Sequence, residues 1–196
     1  LQHINDRMLK RMHRLGNRAA IEKLVEHIRT RIPGVTFRTA FIVGFPGETE
    51  KAYQELKSYV TESGFDRVAA FLYSDEEDTT ARSLDDKIER SVMEERRNEL
   101  LAIQEGIASG LGQDRIGSIL EVLVEGPSEE TPLLLEGRHE GLAPEIDGVI
   151  YINDEPDLLT RPPRARRDAP RPAPGDLVKV EITDAATYDL VGHIVS

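Results

Sequence analysis

Cysteine is absent from all 196 residues. That excludes disulfides, thiolate nucleophiles and any cysteine-ligated metal cluster built from this chain's own side chains. A run of 18 apolar residues is also missing, so no membrane span or signal peptide is expected. A soluble, cytoplasmic chain follows as the expectation. The five histidines, at 3, 13, 27, 139 and 193, lack the short spacings that hold zinc. Basic charge is the next shortage. The formal net charge is −11, whereas affinity for nucleic acid through phosphate neutralisation usually needs a basic face. The first residue is Leu1, and LQHINDRM has no targeting character, as expected of a start inside a longer protein.

The residues that are present fall into two patterns. INDRMLKRMHRLGN reads as a short helix capped by Asn5 or Asp6, with Met8, Leu9, Met12 and Leu15 on one face and Gly16 stopping it. Asn17 caps a second helix, in which Ile21, Leu24, Val25, Ile28 and Ile32 recur at helical spacing. Residues 35–44 form a β-branched apolar run with the look of a buried strand. Tyr53, Leu56 and Val60 mark a helix ending at Gly64, RVAAFLY is a second strand, and SDEEDTTARS is a polar loop. Ser91 and Glu94 have capping-box spacing ahead of a long helix with Met93, Leu100, Ile103, Ile107 and Leu111 on one side. The order α-α-β-α-β-α implies a parallel sheet with crossovers.

Beyond a boundary at 112/113 the pattern changes. SILEVLVEG, PLLLEG, DGVIYIN, DLVKVEITDA and YDLVGHIVS are short strands separated by turn residues, which is the pattern of a small antiparallel β-barrel. Within it, a Pro- and Arg-rich stretch at about 155–174 reads as a strand-to-strand loop or as a polybasic arm for RNA. Charge weighs against the arm. Residues 114–196 carry 17 acidic and 8 basic side chains, a balance of −9 against −2 for residues 1–113.

The stretch TAFIVGFPGETE, residues 39–50, ends a strand in a two-glycine turn and opens a helix. Glycine lets the backbone turn tightly and lets a ligand approach it. Ligands of parallel α/β folds bind at such carboxyl strand ends. Arg38, Ala40, Ile42 and Gly44 form one alternating set; if it faces a barrel interior, Ile42 is an apolar wall and Arg38 a cation needing an anionic partner. The same residues also suit an ordinary strand-turn-helix junction.

FIVGFPGETE resembles the strand-and-turn element of radical S-adenosylmethionine enzymes. Taken with LQHINDRMLKRMHR, DRVAAFLYSDEEDTTA and the β module, the chain is similar to the methylthiotransferases. It matches the last part of their radical barrel followed by an OB-like TRAM domain. QH at 2–3, RTAFIVGFPGET and APEIDGVIYI resemble the branch that methylthiolates an aspartate of a small-subunit ribosomal protein. The tRNA-modifying branch has a basic TRAM domain and lacks APEIDG. The chain departs from the family at Asp78, where a glycine is usual, at Thr80, where Pro is common, and at Ala40, where Thr or Asp is frequent.

The resemblance implies an enzyme that cleaves S-adenosylmethionine at a 4Fe–4S cluster. The resulting carbon radical takes hydrogen from the aspartate β-carbon, and a second 4Fe–4S cluster assists sulfur delivery. The cysteine motifs for both clusters are absent from this chain, which alone is expected to be inactive and to hold no metal. It nominates no catalytic residue. Ile42, Val43 and Gly44 are expected at the adenine, with Gln2, His3 and Arg38 as further cofactor contacts. Plainer roles stand beside these: an exposed chain end for Gln2 and His3, a structural ion pair for Arg38, a helix-dipole partner for Glu48. Glu145 and Asp147 are expected to dock the cationic ribosomal protein, or to form a solvated turn. A tRNA methylthiotransferase and a non-catalytic binding adaptor are the alternative functions. A partial parallel barrel also leaves edges and a sheet face uncovered, so self-association through the N-terminal portion is expected.

Overall fold

Short polar side chains set where the first helices begin in the computed structural model, which describes residues 1–77, 79–131, 133–153 and 172–195. Asn5 Oδ1 accepts from Met8 N at 3.1 Å at the start of α1 (Asp6–Arg11). Asn17 Oδ1 accepts from Ala20 N at 2.9 Å for α2 (Arg18–Arg31), and Thr49 Oγ1 from Ala52 N at 3.2 Å for α3 (Glu50–Ser63). Each satisfies an otherwise orphaned first-turn N–H. Helix α4 (Arg90–Gln113) departs from the expectation. It starts before Ser91, so that residue lies inside the first turn, and Glu94 pairs with Arg90 at 2.9 Å in place of a capping box. Helix α1 also stops early, and Leu15, expected on its apolar face, is 99% exposed.

The chain forms two compact units, Leu1–Ile107 and Ala108–Ser196, dividing within α4. In the first, β1 (Arg38–Val43) and β2 (Arg67–Leu72) pair in parallel, from Arg38 opposite Arg67 to Val43 opposite Leu72. Helix α3 is the crossover, as two consecutive parallel strands require. Strand alternation then assigns the faces. Phe41 and Val43 are fully buried in one cluster with Tyr53, Leu56, Val60 and Leu100; truncating Phe41 to alanine there costs about 3–5 kcal/mol. Ala40, Ile42, Ala69 and Phe71 take the opposite face, where Phe71 remains 57% exposed. Helix α2 buries no residue fully; only half-buried Ile21 and Val25 of its stripe pack on the core, and Leu24 and Ile32 stay exposed.

The second unit is a five-stranded closed barrel. Strands β3 (Ile119–Pro127), β4 (Leu135–Arg138), β5 (Ile150–Asn153), β6 (Leu177–Ala185) and β7 (Leu190–Ile194) close in the order β3-β4-β5-β7-β6. Its inward residues, among them Val122, Val124, Ile150, Ile152, Val180 and Ile182, make one apolar core. The barrel is not wholly antiparallel as expected: β5 and β7 run parallel, because the chain returns to β5's free edge only after forming β6. Among the described strands each pairs with two neighbours, in keeping with the OB-like architecture. Most of the Pro/Arg stretch, 154–171, and the departure at Asp78 lie outside the described residues. Among the described residues no helix is long and apolar enough to cross a membrane.

Candidate functional site

At the carboxyl end of β1 the backbone turns through Gly44, at φ +79°. A Cβ at this position would lie 2.8 Å from Met93 Sδ, and one at Gly47 would lie 3.0 Å from Arg11 Cζ. Packing against Met93 therefore requires glycine at 44, while at 47, where Arg11 presents only the movable end of its side chain, the left-handed φ of +81° favours it. The turn is held from inside. Gly44 N donates to Glu48 Oε2 at 2.9 Å, Glu48 N to Phe45 O at 2.9 Å, and Gly47 N to Asp86 O at 3.0 Å.

Glu48 is the centre of this arrangement. Its side chain is fully buried and receives three donors: Gly44 N, His3 Nε2 at 3.1 Å and Arg96 Nη1 at 2.6 Å. The Arg96 side chain is 8% exposed, its Nη2 reaches Glu50 Oε2 at 3.0 Å, and its Cζ lies 5.0 Å from the Tyr53 ring centroid. A buried carboxylate costs several kcal/mol unless a counter-charge and hydrogen bonds surround it, and here it has both. His3 Nδ1 accepts from Ile4 N at 2.9 Å and Asn5 N at 3.0 Å. The ring proton therefore sits on Nε2, the nitrogen that donates to Glu48.

These contacts gather most of the nominated residues. Gln2 O accepts from Ile42 N at 3.0 Å, placing the N-terminal segment against β1. His3 is linked to Gly44 through Glu48, so Gln2, His3, Ile42, Val43 and Gly44 assemble at one strand end. The Val43 side chain is buried in the core and its carbonyl takes part in the sheet pairing with β2; Ile42 is half-buried on the open face. Arg38 is exposed at the opposite end of β1, about 20 Å along the strand from Gly44 at the usual rise per residue.

A polar rim that the sequence reading missed follows β2. Tyr73 N continues the strand pairing to Val43 O at 2.9 Å, and its ring meets Phe45 edge-on at 5.1 Å. Tyr73 Oη donates to Asp75 at 2.7 Å, and Lys87 pairs with the same carboxylate while its Nζ lies 5.2 Å from the Tyr73 ring. The Lys87 hydrogen bond, then that of Tyr73, holds the Asp75 carboxyl below its ordinary range; desolvation first and Asp75 second push the Tyr73 hydroxyl up. No local pattern signals the buried role of Glu48, because its charged and ring partners, Arg96 and His3, come from distant segments; Lys87 likewise reaches Asp75 from twelve residues away.

In the barrel unit, Glu145 is exposed at φ +63°, beside Ile146 at 74% exposure. Asp147 Oδ2 accepts from Ala143 N at 2.8 Å and so closes the same turn. Among the described residues of 114–196, thirteen are acidic and three basic; the five remaining arginines all lie within 154–171.

Fit to the implied cofactors divides cleanly. Ala40, Ile42, Ala69 and Phe71 offer an uncovered apolar face suited to an adenine ring. With no cysteine, the chain supplies no thiolate to a cluster, and among the described residues no group of His, Asp and Glu could hold a metal ion.

The closed barrel is the part of the chain that matches a known domain: the TRAM domain model matches residues 116–195. Over its whole length the chain is 45% identical to the ribosomal protein uS12 methylthiotransferase RimO of Anaeromyxobacter sp. strain K, and 44% identical to that of Bdellovibrio bacteriovorus. The Aquifex aeolicus protein of the same name is 43% identical over 193 residues. The chain spans only about two fifths of the length of these relatives, 39% to 41%. It is thus a relative of the C-terminal part of the RimO methylthiotransferases, the resemblance its motifs carry.

Proposed function

We propose that this chain is the strand-end and docking portion of a ribosomal-protein aspartate methylthiotransferase. The observation that carries the reading is 39–45% identity across essentially the whole chain to eight proteins named ribosomal protein uS12 methylthiotransferase. In this reading Ile42 is the apolar wall for the adenine, Val43 and Gly44 line the pocket at the strand end, and Gln2 lies beside them. S-adenosylmethionine, if held there together with an iron–sulfur cluster for which this chain offers no cysteine, would supply the hydrogen-abstracting chemistry. The chain's own residues shape the strand end, exclude water with apolar surface and hold the turn rigid.

The barrel unit presents the substrate-docking surface. Its balance of 17 acidic against 8 basic side chains over residues 114–196 attracts a cationic ribosomal protein and repels a phosphate backbone. Glu145 and Ile146 give one tip of that surface a charge and an apolar contact, with Asp147 holding the turn. The reading is tested by a chimera in which this chain replaces the matching segment of the Anaeromyxobacter relative. Methylthiolation of uS12, followed by mass spectrometry, is the expected result. A soluble, cluster-loaded chimera that binds S-adenosylmethionine yet leaves uS12 unmodified contradicts it.

A further inference from the structure

We infer that His3 and Glu48 act as positioning residues for the strand end, with His3 contributing no ligand contact of its own. This rests on the reading of the Ile42–Gly44 turn as the cofactor-binding edge. Both His3 nitrogens are spent inside the protein: Nδ1 on the N–H groups of Ile4 and Asn5, Nε2 on Glu48. The ring is fully buried, so no nitrogen remains for a cofactor or substrate. A second ring proton, at Nδ1, would meet two N–H donors.

Glu48 converts that fixed ring into a fixed turn. One carboxylate oxygen takes the His3 proton donor and the other takes Gly44 N–H and Arg96. Rotating the carboxylate to reach a ligand would break all three bonds. The charged groups facing this centre are Arg96 from α4 and, through Arg96, the exposed Glu50 of α3. The direction of the Gly44 N–H, and so of the backbone that follows β1, is set from His3, forty-one residues earlier in the chain. The N-terminal segment and the turn thus form one preorganised edge.

Two substitutions separate the functions of the ring. His3→Asn keeps an acceptor near Nδ1 but loses the donor to Glu48; His3→Gln keeps a donor at the reach of Nε2. The experiment is nuclear magnetic resonance on the whole chain, reading the imidazole nitrogens and the exchange rate of the Gly44 amide. S-adenosylhomocysteine titration by calorimetry accompanies it. Expected results are an Nε2-protonated His3 in the wild type and a slowly exchanging Gly44 amide retained in His3→Gln. Exchange is expected to rise roughly tenfold or more in His3→Asn and Glu48→Gln, as a charge-assisted bond is lost or weakened. An Nδ1-protonated ring, or unchanged Gly44 exchange in Glu48→Gln, overturns the inference. Where the wild type binds the probe, its affinity should fall with the Gly44 protection and recover in His3→Gln. A wild type that does not bind overturns the cofactor reading, while the exchange data decide the positioning claim independently.

Discussion

Glu48 and Arg96, forty-eight residues apart in sequence, meet at 2.6 Å with side chains 0% and 8% exposed. Removing the guanidinium alone leaves a buried carboxylate with no counter-charge. Arg96→Met is therefore expected to destabilise the first unit by about 3–5 kcal/mol. Adding Glu48→Met should cost less than the sum of the single changes, because the pair is coupled. Urea unfolding of the two single variants and the double variant measures this; additive effects contradict it.

Two glycines at positive φ make a controlled comparison. Gly64 caps α3 at φ +54° with no atom within 4 Å of a added Cβ, so Gly64→Ala meets only the left-handed conformational cost, about 1–2 kcal/mol. Gly44→Ala meets that cost together with overlap with Met93. Thermal unfolding should show the larger loss for Gly44→Ala, partly recovered when Met93 is shortened to alanine. Equal losses would mean that Met93 yields without cost.

Acid sensitivity should trace in part to Glu99. Hydrogen bonds from Tyr53 Oη at 2.6 Å and Lys57 Nζ at 3.1 Å hold its carboxyl below the ordinary 4.5. Below pH 4.5 the unfolded chain takes up this proton before the folded one. Its contribution is thus complete above pH 4.5 and lost as pH falls through the lower folded value. Glu99→Gln should flatten the stability profile in that acid window; an unchanged slope contradicts the assignment.

The face carrying Ala40, Ile42, Ala69 and Phe71 invites self-association of the chain on its own. Sedimentation velocity should show concentration-dependent growth in mass, reduced by Phe71→Lys, which places a charge at a position 57% exposed. A monodisperse monomer at every concentration argues against this.

Local rules made much of the fold legible. Asn17, the αL Gly64 and the alternation of Phe41 and Val43 identify elements from a few neighbouring residues each. Readings failed where tertiary contacts decided. Leu15 has helical spacing, but the helix ends before it; Ser91 has cap spacing, but α4 starts one residue earlier. At the site, the tight turn at Gly44 is legible, as its φ of +79° bears out, but the packing of Met93 against it is not, because Met93 approaches from a helix far along the chain. Glu48 was assigned to the dipole of the next helix, since neither His3 nor Arg96 stands within any local pattern.

The most direct test of the account is a titration of this chain with purified ribosomal protein uS12 at low and physiological salt, with bulk tRNA as competitor. The account predicts binding that weakens as salt rises, survives the tRNA, and falls when Glu145 is changed to lysine. Preference for tRNA, or binding indifferent to salt and to Glu145→Lys, would contradict the acidic barrel as the docking surface.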